Sequence, residues 1–258
     1  YRSEYGMVPK GQSFFSYRHP IRVASVDADV EEMIAAGIIV CSSAGNDGHK
    51  INRPGDPGYD NWYSGTYWEN RVANGQLADN KRYYHRGSSP SAVPGVITVG
   101  NIELTDNGGY QAPVKRDSSS TGPRVDIWAP GSNILSSVET QTAGRNSVRY
   151  GDYDLAKFSG TSMASPQVAG YVCTFLQMRP WLTPAEVTAE VKKTSVKNEI
   201  EGVYSIADFD NTEAPIEANY TNYRAAQGSA NNFLNTPYKI ETVFSNTIQF
   251  QGGVILQK

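Results

Sequence analysis

The stretch "SVDADVEEMIAAGIIVC", Ser25 to Cys41, decides the fold class. Its first part, residues 25–37, reads as a short helix. Asp29 and Glu32 have capping-box spacing, Val30, Met33 and Ile34 form an apolar stripe, and Gly37 is a fitting stop. Ile38 to Cys41 then makes a continuous apolar run rich in β-branched residues. Such a run fits a strand buried on both faces. Helix followed directly by buried strand is the rhythm of an α/β fold with a mostly parallel sheet.

The rhythm continues outward. "VITVG" (Val96 to Gly100) and "VDIWAP" (Val125 to Pro130) read as strands, and "NILSS" (Asn133 to Ser137) as a weaker one. Residues 162–178 read as a packed helix with Val168, Val172, Phe175 and Leu176 on one face. Another helix starts at "LTPAEVTAEVKK": Thr183 is the N-cap, Pro184 takes the first helical position and Glu186 completes a capping box. Two segments break the pattern. Residues 49–87 are rich in turn residues and hold seven Tyr or Trp residues between Tyr59 and Tyr84, which marks an insert. Residues 199–258 are rich in Asn, Thr and Ala and read as a C-terminal extension, with a hairpin in "TVFSNTIQFQGGVILQ". The division is therefore 1–198 and 199–258.

The chain has 258 residues, is 39% hydrophobic and carries a formal net charge of −3. That is enough for one large core, and nothing in the charge suggests a nucleic-acid partner or a polybasic membrane surface. No apolar run approaches the roughly 20 residues of a membrane helix. The first residues, "YRSEYGMVPK", show no signal-peptide h-region. Cys41 and Cys173 each sit in an apolar run and read as buried free thiols.

Ser162 opens a helix in "AKFSGTSMASPQVAGYVC", Ala156 to Cys173. A helix N-terminus turns unpaired N–H groups and partial positive charge toward whatever that hydroxyl attacks. Small neighbours leave room for a substrate chain. The place suits acyl transfer with the Ser162 N–H as an oxyanion donor, although a serine there is also a good N-cap. Asn46 follows the buried strand in "VCSSAGNDG", Val40 to Gly48. Its amide can point out from a strand end, where open α/β sheets bind ligands, or can serve as a turn asparagine.

The long run "SGTSMASPQVAG" resembles the nucleophile motif of the subtilisin-like serine proteases, the subtilases. "VCSSAGNDG" resembles the family's oxyanion-hole block, "PSAVPGVITVG" (Pro90 to Gly100) the block that follows, and "SSSTGPRVDIWAPG" (Ser118 to Gly131) the strand and turn before the nucleophile. The resemblance covers roughly residues 20–195 with the block order intact. It implies a subtilisin-like three-layer fold. It also implies serine endopeptidase activity on a polypeptide substrate, through an acyl-enzyme at Ser162 with Asn46 in the oxyanion hole. A location outside the cell, on its surface or on a virion follows from the resemblance alone.

The family's histidine and aspartate precede the serine by about 160 and 190 residues in subtilisin. No "HGT" or "DTG"-type string occurs here, and His19, His49 and His85 lack the family's helix-start context. The chain thus reads as the C-terminal half of a catalytic domain, inert when isolated. The base and its carboxylate are expected on upstream polypeptide, in the same or a separate chain. The rival reading is a silent subtilase-like structural or docking module of a larger assembly. No cofactor is required. Structural calcium is compatible with the family but has no place in the sequence: Asp208, Asp210 and Thr212 start a calcium-like loop without its glycine and distal glutamate. "NYT" at Asn219 is a glycosylation acceptor pattern.

Overall fold

A computed structural model describes residues 20–48, 50–63, 73–74, 82–83, 85–107, 110–139, 147–197, 200, 232–234, 240–242, 247–250 and 254–257. The first helix, α1 (Ala24–Ala35), starts at Val23 without a side-chain cap. It therefore begins five residues before Asp29, and the Asp29/Glu32 spacing caps nothing. Its end follows the sequence: Gly37 has φ of 89°, its N–H bonds the Ile34 carbonyl, and the Ile38 N–H bonds the Met33 carbonyl. This is a Schellman stop, which needs a left-handed residue at Gly37. Val30 is buried and Ile34 packs with Val93 and Val96, while Met33 faces outward.

The strands are β1 (Cys41–Ser43), β2 (Trp62–Tyr63), β3 (Arg82–Tyr83), β4 (Ile97–Asn107), β5 (Tyr110–Lys115), β6 (Ile127–Pro130) and β7 (Ile134–Val138). They continue with β8 (Ser147–Tyr150), β9 (Tyr153–Phe158), β10 (Val196–Lys197), β11 (Asn232–Phe233), β12 (Ile240–Thr242), β13 (Thr247–Phe250) and β14 (Val254–Gln257). The main sheet runs β1-β4-β6-β11-β10, with β5 on the far half of β4. The pairs β1–β4, β4–β6 and β6–β11 are parallel, as an α/β fold requires. The strand expected at 38–41 lies at 41–43. It is not buried on both faces: Ile38 is 48% exposed and Cys41 half-buried. The physical reason is position: among the described residues β1 is the edge strand of this sheet.

Helices α2 (Thr161–Met178) and α3 (Pro184–Thr194) cover one face. Ile97, Val99, Ile127 and Ala129 point to that side and pack on Val168, Val172 and Phe175, with Val187 and Val191 completing the core. Leu176 joins its edge. On the other face Trp128 is fully buried beside Ala44, Ile102, Val125 and Ile200. Trp128 and Gly100 are register partners, and a Cβ at Gly100 would lie 2.3 Å from the indole. A glycine is thus required where the ring crosses β4. The α3 capping box is present as the sequence predicts.

The sheet takes a strand from beyond residue 198, since Phe233 pairs with Trp128. Strands β12–β13–β14 form a separate antiparallel meander that includes the hairpin segment. A third sheet, β7-β9-β8, stands outside the main one, and β2 pairs with β3 inside the insert.

Candidate active site

The site forms where the β1 end meets the N-terminus of α2. Gly45, with φ of 99°, turns the chain after β1 and presents Asn46 at the surface. The Thr161 N–H donates to Asn46 Oδ1 at 2.9 Å, and the Thr161 hydroxyl donates to the same oxygen at 3.1 Å. That hydroxyl also accepts the Gly45 N–H at 3.2 Å. Because a backbone N–H can only donate, it fixes the carbonyl end of the Asn46 amide toward α2. The Nδ2 end is left pointing elsewhere. Among the described residues, Asn46 Nδ2, the Ser162 N–H and the Ser162 hydroxyl have no hydrogen-bond partner. Two free donors on either side of Thr161, beside an exposed hydroxyl at a helix N-terminus, can hold a developing oxyanion.

The turn before Ser162 is held from three sides. The Gly160 N–H bonds the Gly131 carbonyl at 2.7 Å, the Asn133 N–H bonds Ser159 Oγ at 2.9 Å, and Gln167 of α2 donates to the Pro130 carbonyl. Gly160 has φ of 157°, and a Cβ there would sit 3.4 Å from the Asn46 amide. Beneath this, Asp126 accepts the Thr98 N–H and pairs with Arg124 and Lys192, each at 2.6 Å. Arg124 also donates to the Val93 and Val96 carbonyls. Burial pulls the Arg124 guanidinium below its usual pKa, and Asp126 opposes the shift.

Two spaces flank the site. A cavity of about 170 Å³ lies beside the Gly45 turn, lined by Ser42, Ser43, Ala44, Asp47 and the Ser88–Ser91 segment. A second groove of about 480 Å³ contains Ser162, Met163, Phe158 and the start of β7.

The structure thus brings Ser162 and Asn46 together. Thr161, which joins them, is not legible as a site residue from sequence; its signal is only its place between Gly160 and Ser162. His85 is buried in the insert, its Nδ1 accepting from the Asn52 amide at 3.5 Å, and it lines neither space. His19, His49, Asp208, Asp210, Thr212 and Asn219 lie outside the described residues. Burial pushes the Cys41 thiol up to about 11, with Cys173 adding to the shift. Cys41 is half-buried and Cys173 exposed, so neither is the buried thiol expected. Among the described residues no group of three or more His, Cys, Asp or Glu is arranged to hold a metal ion. No helix among them is long and apolar enough to cross a membrane.

The sequence profile of the subtilase family matches residues 11–232. The chain belongs to that family. A cuticle-degrading protease of Metarhizium anisopliae is 33% identical over 128 residues, 50% of this chain and 28% of that protein. An extracellular protease of Xanthomonas campestris is 38% identical over 110 residues, 42% of this chain and 17% of that protein. The chain therefore spans under a third of the length of these relatives. The crystal structure of a cold-adapted subtilisin-like serine proteinase superposes with a TM-score of 0.45 at 21% identity, covering 85% of this chain and 56% of the other.

Proposed function

We propose that this chain carries the nucleophile and oxyanion hole of a serine endopeptidase that acts outside the cell. The observation that carries the reading is the pair of free donors, Asn46 Nδ2 and the Ser162 N–H, beside the Ser162 hydroxyl. Ser162 Oγ attacks the scissile carbonyl, and its proton passes to a base. The C–N bond breaks, the base returns the proton to the leaving amine, and water then hydrolyses the acyl-serine. Asn46 and the Ser162 N–H hold the oxygen that gains charge. The base and its orienting carboxylate come from upstream polypeptide, in the same chain or a separate one that stays docked. The names of the relatives, an extracellular and a cuticle-degrading protease, support the location and the polypeptide substrate.

The serine-lined cavity beside Gly45 takes the side chain before the cut. Among the described residues its one charged lining residue is Asp47, so an acidic side chain is disfavoured there. The second reading, a silent docking module, draws on the unpartnered Ser162 hydroxyl and the lack of a described histidine near it. Labelling with a fluorophosphonate separates the two. The longest natural protein containing this chain is expected to label at Ser162 rapidly and stoichiometrically, and the isolated chain poorly. Failure of both to label leaves only the silent module.

A further inference from the structure

We infer that Asn101 is a positioning residue for Ser162: its buried carboxamide, on the sheet face under α2, sets the depth of the Gly131 turn and through it the place of the nucleophile. The role in catalysis rests on the protease reading above.

The strand pattern calls for an apolar side chain at this position. Ile97 and Val99 of β4 pack toward α2, and Asn101 follows at the same two-residue spacing. Its register partner, Ala129, belongs to that same core. Asn101 is nonetheless polar and fully buried. Its backbone is tied on both sides: its N–H donates to Ser119 Oγ at 3.0 Å, and its carbonyl accepts the Arg116 N–H at 3.0 Å. Its side chain is less well served. Oδ1 accepts the Ser132 hydroxyl at 3.4 Å, a long contact, and among the described residues Nδ2 has no partner. A buried N–H left idle lowers stability, and a valine here would not carry that cost. Costs of this kind collect at functional sites.

Gly131 shows what the amide does. A Cβ there would lie 2.6 Å from Asn101 Oδ1 and 2.6 Å from the Gly160 carbonyl oxygen. The Gly131 backbone is therefore held between the Asn101 amide and the turn that leads to Ser162. The Gly131 carbonyl accepts the Gly160 N–H at 2.7 Å, and the Gly160 carbonyl accepts the Met163 N–H at 3.0 Å. Ser162 sits inside this closed turn. Ser132, which touches Asn101, is followed by Asn133, whose N–H holds Ser159 Oγ. Both Ser159 and Gly160 are thus held by a segment that rests on Asn101. A side chain without the amide lets Gly131 settle toward β4 and draws Ser162 away from Asn46. A displacement of about 1 Å at a reacting group costs on the order of 10²-fold in rate.

The test uses the longest natural polypeptide that carries this chain, as parent, Asn101→Val and Ser132→Ala. Asn101→Val removes the idle N–H and should keep or raise the thermal midpoint. Its kcat on a peptide p-nitroanilide is expected to fall about tenfold with KM unchanged, and fluorophosphonate labelling of Ser162 to slow by the same factor. A merely structural residue moves stability and activity together. Parental kcat in Asn101→Val, or a midpoint that falls along with kcat, overturns the proposal. If Asn101→Val does not fold, the half-buried Ser132→Ala decides. It should lower kcat about threefold at an unchanged midpoint, and parental kcat overturns the proposal. If the parent neither cuts nor labels, the protease reading fails, and hydrogen exchange decides the positioning. Exchange at the Gly160 and Met163 N–H groups should quicken in Asn101→Val, or in Ser132→Ala where Asn101→Val does not fold, at an unchanged midpoint. Unchanged exchange there overturns it.

Discussion

Thr161 is fully buried and reaches Asn46 through both its N–H and its hydroxyl, while that hydroxyl also satisfies Gly45. The two donors flanking it are free because Thr161 takes up the other ends. Removing the hydroxyl in Thr161→Val keeps the N–H bond but strands the Gly45 N–H, a loss of about 1–3 kcal/mol. The expected outcome in the active parent protein is a kcat about tenfold lower with KM little changed, restored by Thr161→Ser. Equal losses in Val and Ser would assign the effect to packing instead. Removing the Asn46 amide as Asn46→Leu should cost more, about 10²–10³ in kcat, as the corresponding loss does in subtilisin itself. Ser162 and Asn46 were legible in the sequence through the two strings that carry the subtilase resemblance, "SGTSMASPQVAG" and "VCSSAGNDG". Thr161 was not, since its contribution is a contact between segments 115 positions apart. The Cys41 thiol gives a residue-scale prediction of a different kind. Its pKa is raised from 9.0 to about 11 in the fold, so the folded state holds that proton more tightly than the unfolded chain. Its stabilising contribution is complete below about pH 9 and is lost as pH rises toward 11. Denaturant titrations across that window should show a steeper loss for the parent sequence than for Cys41→Ala. Parallel slopes would remove Cys41 from the account.

Elements differ in how far local sequence controls them. α3 starts where its capping box says, because Thr183 Oγ1 accepts the Glu186 N–H and the Glu186 carboxylate accepts the Thr183 N–H within four residues. Those bonds hold the Glu186 carboxyl below its usual pKa. Thr183→Ala should lower stability by about 1 kcal/mol, read as a lower denaturation midpoint at unchanged slope. The start of α1 was misread because Asp29 and Glu32 have the right spacing in the middle of a helix, where no orphan N–H waits for them. β5, β8 and β9 escaped the sequence reading because pairing with a neighbour, not a local pattern, defines them. β11 is two residues long, and only its place between β6 and β10 makes it a strand. The start of β6 depends on charge more than on pattern. Asp126 is buried and holds Arg124, Lys192 and the Thr98 N–H together. Asp126→Asn leaves a buried guanidinium without its counter-charge, at a cost of about 3–5 kcal/mol. A midpoint shift well below that range would mean that the Val93 and Val96 carbonyls suffice for Arg124.

At the scale of the whole molecule, the apolar surface is unevenly placed. Ile21, Val23, Val26, Met33 and Ile38 are all exposed, and all belong to α1 or the segments around it. The same side carries β1, which is the edge of the main sheet among the described residues. Parallel sheets in α/β proteins are covered on both faces, and their strands are apolar for that reason. An uncovered edge next to exposed Val, Ile and Met is a template for association. The opposite side of the sheet, against α2 and α3, shows the reverse: Val168, Phe175, Val187 and Val191 are fully or almost fully buried. Burial there supplies a core, so the 258-residue chain on its own should collapse around α2 and remain adhesive at β1. The expected outcome in sedimentation velocity is an apparent mass that grows with concentration, accompanied by a broad thermal transition. Introducing charge with Met33→Glu and Ile38→Lys removes exposed apolar area without touching the α2 core, and should return the chain toward a monomer. If the upstream polypeptide is what covers this side, adding it in trans should suppress association of the parent chain. The same addition should speed fluorophosphonate labelling of Ser162, because the cover would bring the missing base. Suppressed association with unchanged labelling would separate the two roles and leave the added polypeptide as a structural partner only. A chain that stays monomeric at every concentration and melts sharply would show that β1 and α1 need no cover at all.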